Sequence, residues 1–385
     1  MRTIFKLFAI LIFTYSNAQN FQTQKIVVDL LTKLPLENVI ISNQKDYSTT
    51  NIDGKFIFVS ANKAINLNLL GYENIETTFD DLKNSKDTIF MQQKTIQLSE
   101  IIVGNSAAYI QKVYDRIKDN LIGNYTIDFF LRNVLKQEKE TIVLQDLSGK
   151  KNQNISAKDK ISIEILNMRK VKLYDKKEGI DFKFQNFEEI SNLVAPSPSG
   201  YNFTEIAFND ENYKKIEFES KNKNTQGLGI KGYLVINKKD LAIVEFKMSS
   251  DIDTDLLPYS KFMLSKVKYR TPEWTKHIKF IKDVASNKYY PVSLKMDVKV
   301  EVVTDKKSFY FNNSIDLFTT SAPRDEKIIP NFSTDKDLFK AKFIYSADFW
   351  KSQNQLPLTK ELDTFLKLVA DKKDKTKEYE VTGNF

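Results

Sequence analysis

The stretch IKGYLVINKKDLAIVEFKM, Ile230 to Met248, decides how this chain is read. Two β-rich runs flank a polar turn, Asn237-Lys238-Lys239-Asp240. In the second run Ala242, Val244, Phe246 and Met248 alternate with Ile243, Glu245 and Lys247, the period of two that gives a strand one dry face. Ile230, Gly232, Leu234 and Ile236 supply a matching face in the first run. The pattern predicts a β-hairpin at the centre of a large antiparallel sheet.

The alternation continues outward. Tyr290, Val292, Leu294, Met296, Val298, Val300 and Val302 fall on every second residue, with Ser293, Lys295, Asp297, Lys299 and Glu301 between them. At about 3.3 Å per residue this strand spans roughly 43 Å, a length suited to a curved open sheet or a barrel wall. Further strands are predicted over Ile127–Leu135, Thr141–Leu147, Ile161–Leu166, Tyr213–Glu219, Lys261–Tyr269, Lys276–Asp283 and Ser308–Thr319. Val194–Tyr201, with its Pro and Gly residues, reads as a loop. Pro357 and Thr359 open a helix with Leu362, Phe365, Leu366 and Val369 on one face. A transmembrane barrel fits poorly, because the alternate faces are heavily charged, too few segments qualify, and the residues ahead of Phe385 read as a polar loop.

Nearer the N-terminus, Lys25–Leu31, Asn38–Ser42, Lys55–Val59, Ala64–Leu70, Asn74–Phe79 and Thr88–Met91 read as short strands. Turns such as Asp53-Gly54 separate them, and residues 19–95 are expected to form a small β-sandwich. Thr32-Lys-Leu-Pro-Leu-Glu-Asn-Val39, Thr50-Asn-Ile-Asp-Gly-Lys-Phe56 and Gly71-Tyr-Glu73 resemble the carboxypeptidase regulatory-like domain, a transthyretin-like sandwich of Gram-negative envelope proteins. The resemblance implies a non-catalytic folding, docking or adaptor module. Leu98–Val103 resembles the strand that follows this domain in outer-membrane receptors.

Residues 96–123 read as that linker strand and an amphipathic helix with Ile110, Val113, Tyr114, Ile117 and Leu121 on one stripe, packed on the second domain's sheet. Residues 124–385 form the large sheet domain. Gly232-Tyr-Leu-Val-Ile-Asn237, paired with Leu241-Ala-Ile-Val244, resembles the central hairpin of LolA-like envelope proteins, as does Lys288-Tyr-Tyr-Pro291. That implies an antiparallel half-barrel wrapped round a helix or an apolar ligand. The expected fold class is mostly β: a small immunoglobulin- or transthyretin-like sandwich, then a large antiparallel curved sheet with a few helices.

Arg2 and Lys6, the apolar Ile4 to Phe13, and Ser16-Asn17-Ala18 read as a secretory signal peptide over residues 1–18. The chain is therefore expected in the periplasm or at the outer membrane. No stretch reaches the roughly 20 apolar residues of a spanning helix. There is no cysteine, so the hydrophobic cores alone must hold an exported chain together. The net charge is +8, but lysines are interspersed with acids and basic runs are short, as at Lys150-Lys151 and Lys214-Lys215. That argues against a nucleic-acid partner.

His277 is the only histidine, so catalytic triads and histidine metal sites lack their parts. Asp251, Asp253 and Asp255 are spaced like the start of a calcium loop, but Leu256 and Phe262 stand where Gly and Glu are needed. No catalytic residue, metal or cofactor is expected. Leu234, Ile236, Val244, Phe246, Val292, Leu294 and Met296 are the candidate ligand-binding residues, an apolar concave face for a lipid, a lipoprotein or a partner protein. The plainer alternative is core covered by helices. Two other readings stay open: an envelope hydrolase using carboxylates about 5 to 9.5 Å apart, and a structural adaptor offering a sheet edge to an outer-membrane assembly.

Overall fold

The computed structural model describes residues 20–95, 106–154, 161–174, 185–192, 197–261, 266–371 and 377–385. The expected signal peptide and the strand expected at Leu98–Val103 lie outside the described residues.

Residues 20–95 build two facing sheets. In one, β1 (Phe21–Asp29) lies between β4 (Lys55–Ser60) and β7 (Thr88–Met91). In the other, β2 (Ile40–Ser42) lies between β3 (Tyr47–Thr49) and β5 (Ala64–Asn68), with β6 (Ile75–Thr78) outside β5. Val27, Ile41, Phe56, Phe58, Leu67 and Met91 fill the space between, together with Phe79 and Leu82 of helix α1 (Phe79–Asn84). The Thr78 hydroxyl caps α1 by accepting from the Asp81 N–H. In the Asp53-Gly54 turn, Gly54 has φ +72° and a Cβ there would lie 2.4 Å from the Val27 carbonyl oxygen, so only glycine fits. Short β3 and α1 were not anticipated, since a three-residue strand and a one-turn helix show no period.

Helix α2 (Ser106–Asn120) leads to a third, much larger sheet of twelve strands in which every pairing is antiparallel. Its spatial order begins with β11 (Tyr201–Ile206), β12 (Tyr213–Ser220), β13 (Leu228–Asn237), β14 (Ala242–Ile252), β16 (Lys268–Lys282) and β17 (Tyr289–Val303). It continues with β18 (Ser308–Thr319), β8 (Asn124–Gln137), β9 (Glu140–Asn154), β10 (Ile161–Tyr174) and β19 (Glu378–Thr382), while β15 (Ser260–Lys261) sits beside β16. The quoted hairpin is β13–β14, its turn held by Asn237 Oδ1, which accepts from the N–H groups of Lys239 and Asp240. It lies toward one end of the sheet, and β17 and β18 occupy the middle. The residues ahead of Phe385 are a strand after all, because β10 offers them an edge.

β12 and β10 stand eight positions apart in this order, which in a flat sheet is about 38 Å. Ile216 and Phe218 of β12 nevertheless share one buried cluster with Ile163, Ile165 and Met168 of β10. The cluster crosses every strand between them, and this face of the curved sheet is covered. Ile110 and Val113 come from α2, Phe187 and Ile190 from helix α3 (Phe187–Ser191), and Leu338 and Ala341 from a 3-10 turn. The Phe187 ring packs 5.3 Å from that of Phe129.

If α3 is a structural plug, Phe187→Ala opens a cavity costing about 3 to 5 kcal/mol. Urea unfolding followed by far-UV circular dichroism is expected to show a lower midpoint with the folded spectrum retained.

Candidate functional site

The seven sequence-predicted residues do not share one surface. Leu234, Ile236, Phe246 and Leu294 are buried in the core under α2 and α3, with Met296 packed against it. Val244 is diverted by a β-bulge, where the register slips between Val235 and Ile236. Ile243 takes its place on the core face, and Val244 joins Ala242, Val235 and Tyr289 in a separate cluster. Val292 is diverted by a second bulge, opposite Lys279 and Phe280. With Tyr290 it meets Ile40 and Tyr47 of the N-terminal sandwich. A bulge sets two residues against one and turns the strand. The expectation of one continuous apolar lining is thus corrected.

The large opening is elsewhere. A cleft of about 1820 Å³ lies over the opposite, polar face of the sheet. Ser293, Lys295, Asp297 and Lys299 of β17 and Ser314 and Asp316 of β18 contribute to its floor. One wall is the sandwich, at Glu37 and Thr49–Asp53. The other is helix α5 (Lys360–Ala370), which follows the short helix α4 (Ala347–Lys351). Thr359 caps α5 by accepting from the Leu362 N–H, as its sequence predicts.

The walls are tied together at residues 354–360. Asn354 exchanges hydrogen bonds with the Val59 backbone at 2.7 and 3.0 Å. Asn51 Nδ2 donates to the Pro357 carbonyl at 3.1 Å, and the Lys360 N–H donates to Asp53 at 2.8 Å. From the sheet, Arg132 donates to the carbonyls of Leu356 and Pro357, and Arg169 to the Gln355 side chain. Both guanidinium groups also grip the fully buried Asp146. Burial alone would push this carboxyl up, but the two arginines outweigh it and hold it below the usual range.

On the floor, Lys295 Nζ reaches Glu37 Oε1 of the sandwich at 2.5 Å, and Ser314 donates to Asp297 at 2.6 Å. Asp316, opposite Lys295 in the strand register, is pushed up to about 6. Burial is the main cause, Glu37 and Asp297 add to it, and Lys295 opposes it. Outside the cleft, His277 Nε2 lies 2.8 Å from Glu245 Oε1, which also accepts from Tyr233. Burial raises the Glu245 carboxyl, but these partners and Lys279 hold it down at about 2. Asp251 pairs with Lys223 and Lys231. Among the described residues no acidic or histidine cluster could hold a metal ion. The cleft was missed because its walls lie far apart in sequence and its residues read as ordinary solvated positions.

Asp146→Asn leaves two arginines buried without their anion and is expected to cost about 3 to 5 kcal/mol in chemical denaturation at pH 7. Since the folded carboxyl is depressed, the wild-type advantage should vanish as pH falls below the ordinary carboxylate range. Asp316→Asn has the opposite sign. A raised carboxyl contributes stability at low pH that is lost as pH rises through 6. The variant should therefore gain on wild type between about pH 4 and 6.5, by on the order of 1 to 2 kcal/mol at the plateau. Thermal midpoints across pH check both.

No protein-family model matches this chain, and no curated protein does. Among solved structures, a LolA superfamily protein from Nitrosomonas europaea aligns with 56% of this chain and 94% of its own, at 8% identity and a TM-score of 0.23. A conserved protein of unknown function with a hot dog fold from Alicyclobacillus acidocaldarius aligns with 59% and 91%, at 9% identity and a TM-score of 0.11. These are faint likenesses in shape, and the function has to be argued from the cleft itself.

Proposed function

We propose that this chain is a non-enzymatic binding or adaptor protein of the cell envelope, and that its cleft takes an amphipathic ligand: a lipid, or the lipid-bearing segment of a lipoprotein. One observation supports this above others. Beside the charged floor the cleft has exposed apolar side chains, Ile52 at 58%, Leu368 at 49% and Val381 at 53%. Apolar groups left in water round a concave site favour a partner that covers them, at about 25 cal/mol per Å² buried. A charged head group would meet Lys295, Asp297 and Lys299. The envelope location rests on the signal-like N-terminus and the lack of cysteine; no helix among the described residues is long and apolar enough to cross a membrane.

Native purification followed by lipid extraction and mass spectrometry tests the reading. Wild type should carry a stoichiometric lipid, and Leu368→Glu should lose it with an unchanged thermal midpoint, because Leu368 is exposed. Wild type that arrives without lipid and fails to bind labelled phospholipid would refute it.

A carboxylate-dependent hydrolase is the second reading, favoured by the raised Asp316 near Asp297 and Glu37. It requires turnover of an envelope polymer that Asp316→Asn abolishes.

A further inference from the structure

Of the twelve large apolar side chains that stay exposed among the described residues, five crowd one end of the sandwich: Leu30, Leu31, Leu34, Ile52 and Phe90. The strand register brings them there. β1 ends at Asp29, and the turn after it closes where the Asp29 N–H donates to the Leu34 carbonyl at 2.9 Å. On one side lies the end of β7, where Phe90 pairs with Val28 and the Leu30 N–H donates to the Met91 carbonyl at 2.8 Å. On the other lies the Ile52–Gly54 turn ahead of β4, whose Gly54 carbonyl accepts from the Val27 N–H at 2.8 Å. Leu31 is 76% exposed and Leu34 64%, and residues 30–35 are exposed without a break.

The display is held in place from beneath. Asp29, itself buried, accepts through Oδ1 from the N–H groups of Leu31 at 2.8 Å and Thr32 at 2.7 Å. Its Oδ2 accepts from the Tyr72 hydroxyl at 2.9 Å and the Gln93 amide at 2.8 Å. Lys33 takes φ +60°, a left-handed conformation that suits glycine better, and its ammonium lies 4.7 Å from the centre of the Phe90 ring. Past Ile52, the Lys360 N–H binds Asp53, which puts a second lysine beside the tip. Among the described residues neither ammonium meets a carboxylate, whereas Glu37 and Glu361 nearby are paired with Lys295 and Lys136. A fixed turn with leucines in water and unpaired cations beside them suits a partner that is both apolar and anionic.

We propose that this end of the sandwich docks on the surface of an anionic lipid bilayer. Leu31 and Leu34 enter the boundary between head groups and acyl chains, while Lys33 and Lys360 meet lipid phosphates. A projecting turn offers a protein partner no pocket, and leucine is scarce among the residues that carry protein–protein affinity, so a bilayer fits the patch better than a protein does. Ile52 also lines the cleft, so the docked tip would give a lipid a short path from bilayer to cleft. That use rests on the function proposed above; the docking itself does not.

Co-sedimentation of the full chain with vesicles of three parts phosphatidylethanolamine to one part phosphatidylglycerol tests it. Wild type should pellet with the vesicles. The double variant Leu31→Ser, Leu34→Ser should bind about tenfold less with its thermal midpoint unchanged, since both side chains already stand in water. High salt should weaken wild-type binding by screening the two lysines. Leu31→Trp should fold, and its emission should shift to the blue when vesicles are added, a shift that wild type lacks. No binding by wild type, equal binding by the double variant, or an unshifted Leu31→Trp would overturn the proposal. So would a wild-type dimer that the double variant breaks up, which would assign the patch to a second copy of the chain. Leu368→Glu, which alters the cleft alone, should dock as wild type does, so a failed docking is told apart from a failed cleft ligand. Loss of docking in that variant would place the contact at the cleft and overturn the proposal as well.

Discussion

Asp146 accepts four charge-assisted hydrogen bonds from Arg132 and Arg169, in a place that water does not reach. A lone carboxylate there would be untenable, and so would either arginine. Together they leave one surplus positive charge, and the structure uses it. The remaining guanidinium donors fix residues 355–357 to the sheet, and the Arg169 plane lies over the rings of Trp350 and Phe385. From that anchor α5 is aimed along the cleft and Asn51 of the sandwich finds its carbonyl. The position of both cleft walls follows from this one cluster.

The two faces of the large sheet divide the work. One is sealed by α2, α3 and the 3-10 turn, which make the curl of the sheet permanent. The other keeps its charges and meets the sandwich through specific polar contacts, such as Lys295 with Glu37 and Lys279 with the Asn38 carbonyl. Beside the apolar cluster of Ile40, Tyr47, Tyr290 and Val292, these polar contacts depend on geometry, which suits a site whose walls must stay in register with each other.

Much of the fold was legible because long strands announce themselves by alternation. The β13–β14 hairpin, β17, β18, the α2 stripe and the Thr359 cap all stand where period and turn chemistry place them. What escaped were events that leave no period. The bulge at Val244 swaps it with Ile243, and the bulge at Val292 sends that residue toward the sandwich. The β19 strand is polar, and only the waiting edge of β10 makes it one. The cleft was illegible for a related reason: Glu37, Lys295 and Asp316 look like surface residues until the chain brings them together. Pairing across such distances is a property of topology, not of any window of sequence.

That topology also constrains when the molecule can form. β8 pairs with β18, whose residues come some 180 positions later, and β10 pairs with β19, at the opposite end of the domain. Loop-closure entropy must be spent before either contact repays it, so assembly should be slow and should wait for β19 to emerge. Until then β10 presents a bare edge capable of pairing with another molecule. β19 thus doubles as a late-arriving guard against self-association, and a chain clipped before Glu378 would be prone to stick to its own kind.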